Sequence, residues 1–479
     1  MKNYSLKRTL PALGLLGLGL AGCQPELEEP TSNKGTADFT KYVAVGNSLT
    51  AGFMDGGLYR EGQLSSYPNL LAMQMAKAGG GAFVQPLFSE AQSNGSGYLK
   101  LTGFTATGSP ITASVTTNLA LRAGATAARP LYTKFTEPVN NLGVPGIRMS
   151  DIETAGYGSV QGNPYFERIT PDASPTQTYR QRVAASQPTF FTFWLGNNDV
   201  LGYATSGGAG AGITSNTVFT TLANGILDDL TAGGAKGVVA TIPDVTNIPF
   251  FTTVGPTLRA TLTAGNVPGI VVTTGTFSTT PGTPATRKTI ATTAIRDANG
   301  NGNQLFTLTA APYLGLLGRT NNGKAWRDVY GQVRGALPPA VSLSVFLAIQ
   351  GVDTTQAFGV SPGNPIPSTL VLDDVEQTTV RTATTAFNAA LTTKATAKNL
   401  AIFDANAFFS RVAANGVVSN TVTNTAAYIS GNLFSLDGVH PTPRGYAIIA
   451  NEMIKVINTK YGSTLQPVDP NASRGVLLP

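Results

Sequence analysis

The sequence reads Tyr42-Val-Ala-Val-Gly46-Asn47-Ser48-Leu49-Thr50-Ala51-Gly52 near its start, and this stretch decides the fold. A run of apolar and aromatic residues leads directly into Gly-Asn-Ser, a pattern that predicts a buried strand ending in a tight turn. Such a turn would present the hydroxyl of Ser48 where a nucleophile would lie. An alternative is that Ser48 only caps the helix that follows, because serine is a favoured N-cap residue.

Strands and helices alternate along the rest of the chain. Further strands are predicted at 139–146, 189–195, 237–242 and 399–404, with helices at 67–77, 177–185, 215–230, 375–398 and 445–458. This alternation predicts an α/β fold, a flavodoxin-like three-layer sandwich with a central parallel sheet of about five strands and long insertions. Ligands of such sheets bind beyond the C-terminal ends of the strands.

The chain has 479 residues, a length that usually indicates two or three domains. The motifs described below nevertheless extend from Ser48 to His440, so we predict a single domain with insertions. The predicted segments are a lipoprotein signal peptide at 1–22, a flexible tether at 23–38, the α/β domain at 39–462 with inserts at about 80–135 and 250–370, and a C-terminal tail at 463–479.

The N-terminus carries three cations, then an apolar Leu- and Gly-rich run, then Leu20-Ala21-Gly22-Cys23. The apolar run is too short for a membrane-spanning helix, which indicates a signal peptide. The final four residues resemble a bacterial lipobox, and Cys23 is the only cysteine, so we predict lipidation at Cys23 and anchoring at the cell envelope, on the outer membrane. Ordinary secretion with an incidental cysteine is the alternative. No intrachain disulfide or thiolate metal site is available.

The charge balance indicates no nucleic-acid partner. Without the three cations of the signal segment, 29 basic residues face 26 acidic ones, and no basic cluster is interleaved with aromatic residues. The stretch 297–303 matches the start of a calcium loop, but its twelfth position is Leu308 rather than glutamate, so we predict an exposed turn. We predict no metal and no cofactor, and a monomer.

The only histidine of the chain is His440, in the loop Leu436-Asp437-Gly438-Val439-His440-Pro441. Any mechanism that uses an imidazole must use this one, and Asp437 lies three residues before it. An incidental surface histidine is the alternative. A third segment, Phe190–Asp199, is a predicted strand ending in Gly-Asn-Asn-Asp, whose amides would either donate hydrogen bonds to an oxyanion or simply close a turn.

Together these motifs resemble the SGNH/GDSL hydrolase family, in the lipoprotein form of a GDSL-like lipase or acylhydrolase. The four blocks of that family occur in the expected order: Gly46-Asn47-Ser48-Leu49, Asn141-Leu-Gly143-Val-Pro-Gly146, Gly196-Asn197-Asn198-Asp199 and Asp437-Gly-Val-His440. One departure is Asn47, where the family has aspartate; because this position is not the nucleophile, the change affects local hydrogen bonding rather than catalysis.

The resemblance implies a catalytic triad of Ser48, His440 and Asp437 and an oxyanion hole made by the backbone N–H groups of Ser48 and Gly146 and the side chain of Asn198. A serine hydroxyl needs such a base, and the base needs a partner that fixes its tautomer. The implied activity is ester hydrolysis through an acyl-serine intermediate, of the lipase or esterase type.

The substrate cannot be identified from these motifs. Apolar runs in the second insert, 313–317 and 341–349, would line an acyl pocket, form a lid or form the insert's own core, and the core is favoured. They nevertheless favour esters of medium or long acyl chains over acetylated carbohydrate. The alternatives are a carbohydrate esterase, or deacetylase, of the same fold and a surface lipoprotein that only binds its partner.

Overall fold

The computed structural model describes residues 31–106, 108–320 and 323–479. The predicted signal peptide and Cys23 lie outside the described residues. Both predicted inserts belong to the same compact unit as the sheet, Ser32–Pro479.

The centre of the fold is a parallel five-stranded sheet whose strands follow the order β2-β1-β3-β4-β5. These strands are β1 Tyr42–Gly46, β2 Asn141–Gly143, β3 Phe190–Trp194, β4 Lys236–Ala240 and β5 Ala401–Phe403. This order is the flavodoxin-like one, and it confirms the predicted fold class. Gly46 pairs with both Gly143 and Trp194, so β1, β2 and β3 end level with one another at the edge where the site lies.

Helices cover both faces of the sheet. One face carries α1 (Tyr67–Lys77) and α5 (Pro443–Tyr461), and the other carries α2 (Tyr179–Ser186), α3 (Asn216–Thr231) and α4 (Asp374–Ala397). Strands covered on both sides must be apolar throughout, and every residue of β1 and β3 is buried accordingly. All these strands and helices lie close to their predicted bounds.

Side-chain caps fix where the longer helices begin. Ser215 caps α3 by accepting a hydrogen bond from the N–H of Val218, and Asp373 forms a reciprocal capping box with Glu376 at the start of α4. Thr442 caps α5 two residues after His440. The helix on which the histidine loop ends is therefore anchored at its first turn.

The remaining elements are short. The other α-helices are Ser48–Ala51, Arg60–Ser65, Pro164–Ile169, Asn197–Thr205, Pro249–Thr252, Val254–Ala264, Lys324–Val333, Leu343–Gln350 and Ala405–Asn415. Two-stranded antiparallel pairs join Tyr98–Phe104 to Pro110–Val115, Gly269–Thr273 to Arg287–Ala291, Leu305–Phe306 to Val371–Leu372, and Val417–Ser419 to Val422–Asn424. The first insert thus contains a β-hairpin.

The second insert has apolar clusters of its own. Residues 313–317 pack around Phe306, Phe358 and Ile366, whereas the helix Leu343–Gln350 packs around Trp326. This confirms that the two apolar runs form the insert's own core. The basis for expecting a long acyl chain is thereby removed.

Two predicted boundaries differ from the structure. Asn33 donates its N–H to Thr464 Oγ1 and accepts the N–H of Thr464, and the N–H of Thr36 bonds to the carbonyl of Tyr461. The ordered domain therefore begins at about Asn33 rather than at residue 39, because these backbone bonds hold the last part of the predicted tether. The predicted tail, 463–479, also packs on the domain, with Leu465 buried. No helix among the described residues is long and apolar enough to cross a membrane.

Candidate active site

Ser48 lies where β1 passes directly into the short helix Ser48–Ala51. The N-cap of this helix is Asn47, whose side-chain oxygen accepts the N–H of Leu49 at 3.0 Å. The hydroxyl of Ser48 is therefore not used as a cap, contrary to the alternative interpretation of the sequence. Gly46 permits the sharp turn, because a Cβ there would lie 2.0 Å from the Thr50 hydroxyl oxygen and 2.8 Å from the Trp194 carbonyl oxygen.

The histidine loop brings His440 and Asp437 to this serine. His440 Nε2 lies 2.8 Å from Ser48 Oγ, and His440 Nδ1 lies 2.9 Å from Asp437 Oδ2. With the carboxylate as acceptor, Nδ1 carries the proton and Nε2 is free to accept the hydroxyl proton of Ser48. The three residues thus form one continuous hydrogen-bonded chain.

Asp437 is held as a carboxylate by several donors. Its Oδ1 accepts the N–H groups of Val439 and His440 at 2.9 and 2.8 Å, and its Oδ2 accepts the N–H of Gly56 at 2.9 Å. Burial alone would raise the pKa of Asp437, but the charge of the imidazolium and these hydrogen bonds lower it to about 2. Asp437 therefore stays ionised at neutral pH.

A second carboxylate, Asp55, supports the histidine loop from behind, and the sequence did not reveal it. Asp55 Oδ1 accepts the N–H of Leu436 at 2.9 Å, Oδ2 accepts the hydroxyl of Tyr59 at 2.7 Å, and the N–H of Asp55 bonds to Ser435 Oγ. Burial raises the pKa of Asp55, and these hydrogen bonds oppose that rise. Asp55 has a left-handed backbone, φ 53°, which places Gly56 next to Asp437.

Aromatic rings also support the imidazole. The ring of Phe53 lies against the ring of His440, with 4.7 Å between the centroids. The carbonyl of Phe53 accepts the hydroxyl of Tyr446, on α5, at 2.6 Å. The base is therefore fixed on one face by packing and on its Nδ1 side by hydrogen bonding. No periodicity or motif in the sequence predicts this contact.

The predicted oxyanion donors follow three neighbouring strands: Ser48 follows β1, Gly146 follows β2 and Asn198 follows β3. Gly146 has φ +83° in the turn after β2, a conformation that favours glycine. The side-chain amide of Asn198 donates to the carbonyl of Ile147 at 2.9 Å, which joins the third motif to this turn and leaves its second N–H available. Among the described residues, the backbone N–H groups of Ser48 and Gly146 have no hydrogen-bond acceptor.

Asp199 holds the same turn in place. Its carboxylate accepts the N–H of Met149 at 2.7 Å, the N–H of Ser150 at 3.4 Å and the hydroxyl of Thr214 at 2.5 Å. Burial raises the pKa of Asp199 to about 6, although these bonds oppose the rise. The last residue of the third motif is therefore a positioning residue for the Gly146 turn.

A small pocket of about 50 Å³ opens beside Ser48 and His440. Its walls are largely apolar, formed by Leu49, Leu201, Pro243, Val245, Ile248, Phe409, Phe434, Val439 and Pro441, with Asn47, Asn197 and Asn198 as the polar members. The Nδ2 group of Asn47 and the Oδ1 atom of Asn197 are buried and have no hydrogen-bond partner within the described part of the chain. An aspartate at position 47 would place a charge there instead of an amide.

Among the described residues, no group of three or more His, Cys, Asp or Glu side chains is placed to hold a metal ion. The stretch 297–303 forms the predicted turn, in which Asp297 Oδ1 accepts the N–H groups of Asn299 and Asn301.

No model of a known protein family matches this chain, and no curated protein sequence matches it either. The geometry of the site is therefore the basis for assigning a function.

Proposed function

We propose that this protein is a serine ester hydrolase of the lipase or esterase type, similar to the SGNH/GDSL hydrolases, which works through an acyl-serine intermediate. The observation that carries the proposal is the hydrogen-bonded chain from Ser48 Oγ through His440 to Asp437. The apolar pocket next to it supports an acyl substrate.

In the first half of the reaction, Ser48 Oγ attacks the ester carbonyl carbon while its proton passes to His440 Nε2. The carbonyl oxygen becomes an oxyanion, for which the N–H groups of Ser48 and Gly146 and the amide of Asn198 are the proposed donors. The bond to the alcohol oxygen then breaks, and that oxygen takes the proton from Nε2. The acyl group remains on Ser48.

In the second half, water attacks the acyl-serine carbonyl and gives its proton to His440 Nε2. Breakdown of this intermediate releases the carboxylic acid, and Ser48 Oγ regains its proton. Asp437 stabilises the imidazolium in both halves and keeps its own charge throughout, consistent with its pKa of about 2. We propose that this chemistry takes place at the cell envelope, with the protein anchored through Cys23.

The test compares hydrolysis of p-nitrophenyl butyrate by the purified protein and by its Ser48→Ala variant. We expect kcat to fall by about 10⁴–10⁶, as removal of the nucleophile does in other serine hydrolases, while the circular dichroism spectrum stays the same. A fluorophosphonate probe should label Ser48 in the parent and not in the variant. The matched control is Ser174→Ala, at an exposed serine in a turn, which should keep full activity.

Equal turnover by Ser48→Ala and the parent would show that Ser48 is not the nucleophile. A protein that is folded but neither hydrolyses an ester nor reacts with the probe would instead favour a non-catalytic binding lipoprotein.

A further inference from the structure

We infer that the enzyme takes short acyl groups, of two to about four carbons, and that Phe409 sets this limit. This inference rests on the proposed function, because it assigns the pocket beside Ser48 to the acyl part of the ester. It replaces the expectation of medium or long chains, for which the insert's apolar runs were the basis.

The volume of the pocket gives the size of the acyl group. The volume of about 50 Å³ is about a third of that of an apolar cavity of about 150 Å³ that holds benzene, a ring of six carbons. The pocket therefore encloses an acyl group of two to about four carbons, and an octanoyl group exceeds it.

Aromatic side chains form part of the pocket wall. The rings of Phe409 and Phe434 lie 6.2 Å apart between centroids, and the ring of Phe409 also packs edge-on against Phe408 at 5.1 Å. Phe434 is 5% exposed and Ile248 is 8% exposed, so these two walls belong to the packed interior. Densely packed interiors yield little to an overlong chain.

The helix Ala405–Asn415 separates this pocket from a much larger groove. Phe409 lines the pocket, whereas Val412, Ala413 and Ala414, one turn later on the same helix, line a groove of about 1240 Å³. The two spaces share no lining residue. Phe409 therefore lies between the acyl pocket and the groove. Because Phe409 is only partly buried, truncating it should disturb the fold less than truncating Phe434.

The test measures kcat/KM for p-nitrophenyl acetate, butyrate, hexanoate, octanoate and decanoate with the full protein. Each methylene that enters the pocket adds about a fourfold gain, so we expect about a fifteenfold rise from acetate to butyrate, which differ by two methylenes. From butyrate to octanoate we expect a fall of about tenfold or more. In Phe409→Ala the octanoate-to-butyrate ratio should rise by about tenfold.

Two further variants make the test specific. Leu201→Phe narrows the pocket from the helix Asn197–Thr205 and should lower the ratio of kcat/KM for butyrate to that for acetate by about fivefold. This variant tests the inference even if Phe409→Ala does not fold. Phe104→Ala is the matched control: Phe104 is 49% exposed and lines the groove but not the pocket, so the chain-length profile should not change.

A parent enzyme with its highest kcat/KM on octanoate or decanoate would overturn the inference and leave the proposed function standing. Unchanged ratios in both folded pocket variants would show that this pocket does not hold the acyl chain. Failure to hydrolyse any ester of the series would refute the proposed function itself.

Discussion

Replacing Asp437 by asparagine tests the central geometry of the site with the smallest possible change in shape. The side-chain oxygen of the variant can keep the N–H groups of Val439 and His440, which now bond to Oδ1. The new NH₂ group then lies where Oδ2 accepts the N–H of Gly56 and of the imidazole. The NH₂ group would then face two N–H donors, that of Gly56 and that of the imidazole Nδ1. The imidazole must therefore switch tautomer so that Nδ1 accepts a hydrogen bond.

The switch removes the base. Once Nδ1 accepts, Nε2 carries the proton and points it at Ser48 Oγ, 2.8 Å away, so it cannot take the hydroxyl proton. A wrong tautomer of this kind costs about 10⁴ in kcat, which corresponds to about 5 kcal/mol of transition-state stabilisation. The N–H of Gly56 also loses its acceptor, but Gly56 is exposed and water can replace the bond, so the fold should lose less than about 1 kcal/mol.

The assay is steady-state hydrolysis of p-nitrophenyl butyrate together with thermal unfolding. We expect kcat to fall by about 10⁴ and KM to change by less than about threefold, because the lost interaction acts in the transition state. The matched control is Asp353→Asn, at an exposed turn in the second insert, which should have parental kinetics. An Asp437→Asn variant that keeps more than about a tenth of the parental kcat would refute the assignment of Asp437 as the residue that fixes the tautomer.

Three other predictions concern the surroundings of the site. Asn198→Ala should lower kcat by about 10²–10³ with little change in KM, and a silent substitution in the same assay would exclude its amide as an oxyanion donor. Arg474→Ala removes an ion pair to Glu61, with contacts of 2.6 and 2.8 Å, and it also removes the cation that lies 3.9 Å from the buried carboxylate of Asp55. The melting temperature should therefore fall by a few degrees, and kcat by less than about tenfold. Burial raises the pKa of Glu376 to about 7, and a carboxyl that holds its proton more tightly in the folded state contributes stability below about pH 4.5 that is lost as the pH rises through 7. Glu376→Gln should therefore flatten the decline in melting temperature over this range. An unchanged slope would contradict this.

The sheet was predictable because its signals are local. Four of the five core strands are short apolar runs that lead to Gly, Asn, Pro or Asp, and the helix 67–77 has a proline in its first turn. The strand order was predictable too, because right-handed crossovers leave few arrangements for alternating strands and helices. The position of Ser48 follows from the same pattern, since strand ends of a parallel sheet meet at one edge. Its pairing with His440 and Asp437 is what the resemblance to the SGNH/GDSL motifs implies.

The support for the site was not predictable, because it depends on contacts between residues far apart in the chain. Asp55 lies next to Ser435 and Leu436 only because the turn after β1 and the histidine loop meet across the sheet edge. Sequence alone presents Asp55 as an ordinary turn residue followed by two glycines. The C-terminal segment was assigned to a tail for the same reason, since no pattern marks Arg474 as a partner of Asp55 and Glu61.

Asp437 and Asp55 show how one loop uses two carboxylates differently. Both are buried, which raises the pKa of each, but Asp437 faces an imidazole that becomes cationic and its pKa falls to about 2. Asp55 faces neutral donors, the more distant guanidinium of Arg474 and the negative charge of Asp437, which raises the pKa of Asp55 further. Opposite charge at short range therefore decides which of the two carboxyl pKa values is lowered. Asp55 fixes the backbone of Leu436, one residue before Asp437, and so fixes the position of the Asp437 carboxylate.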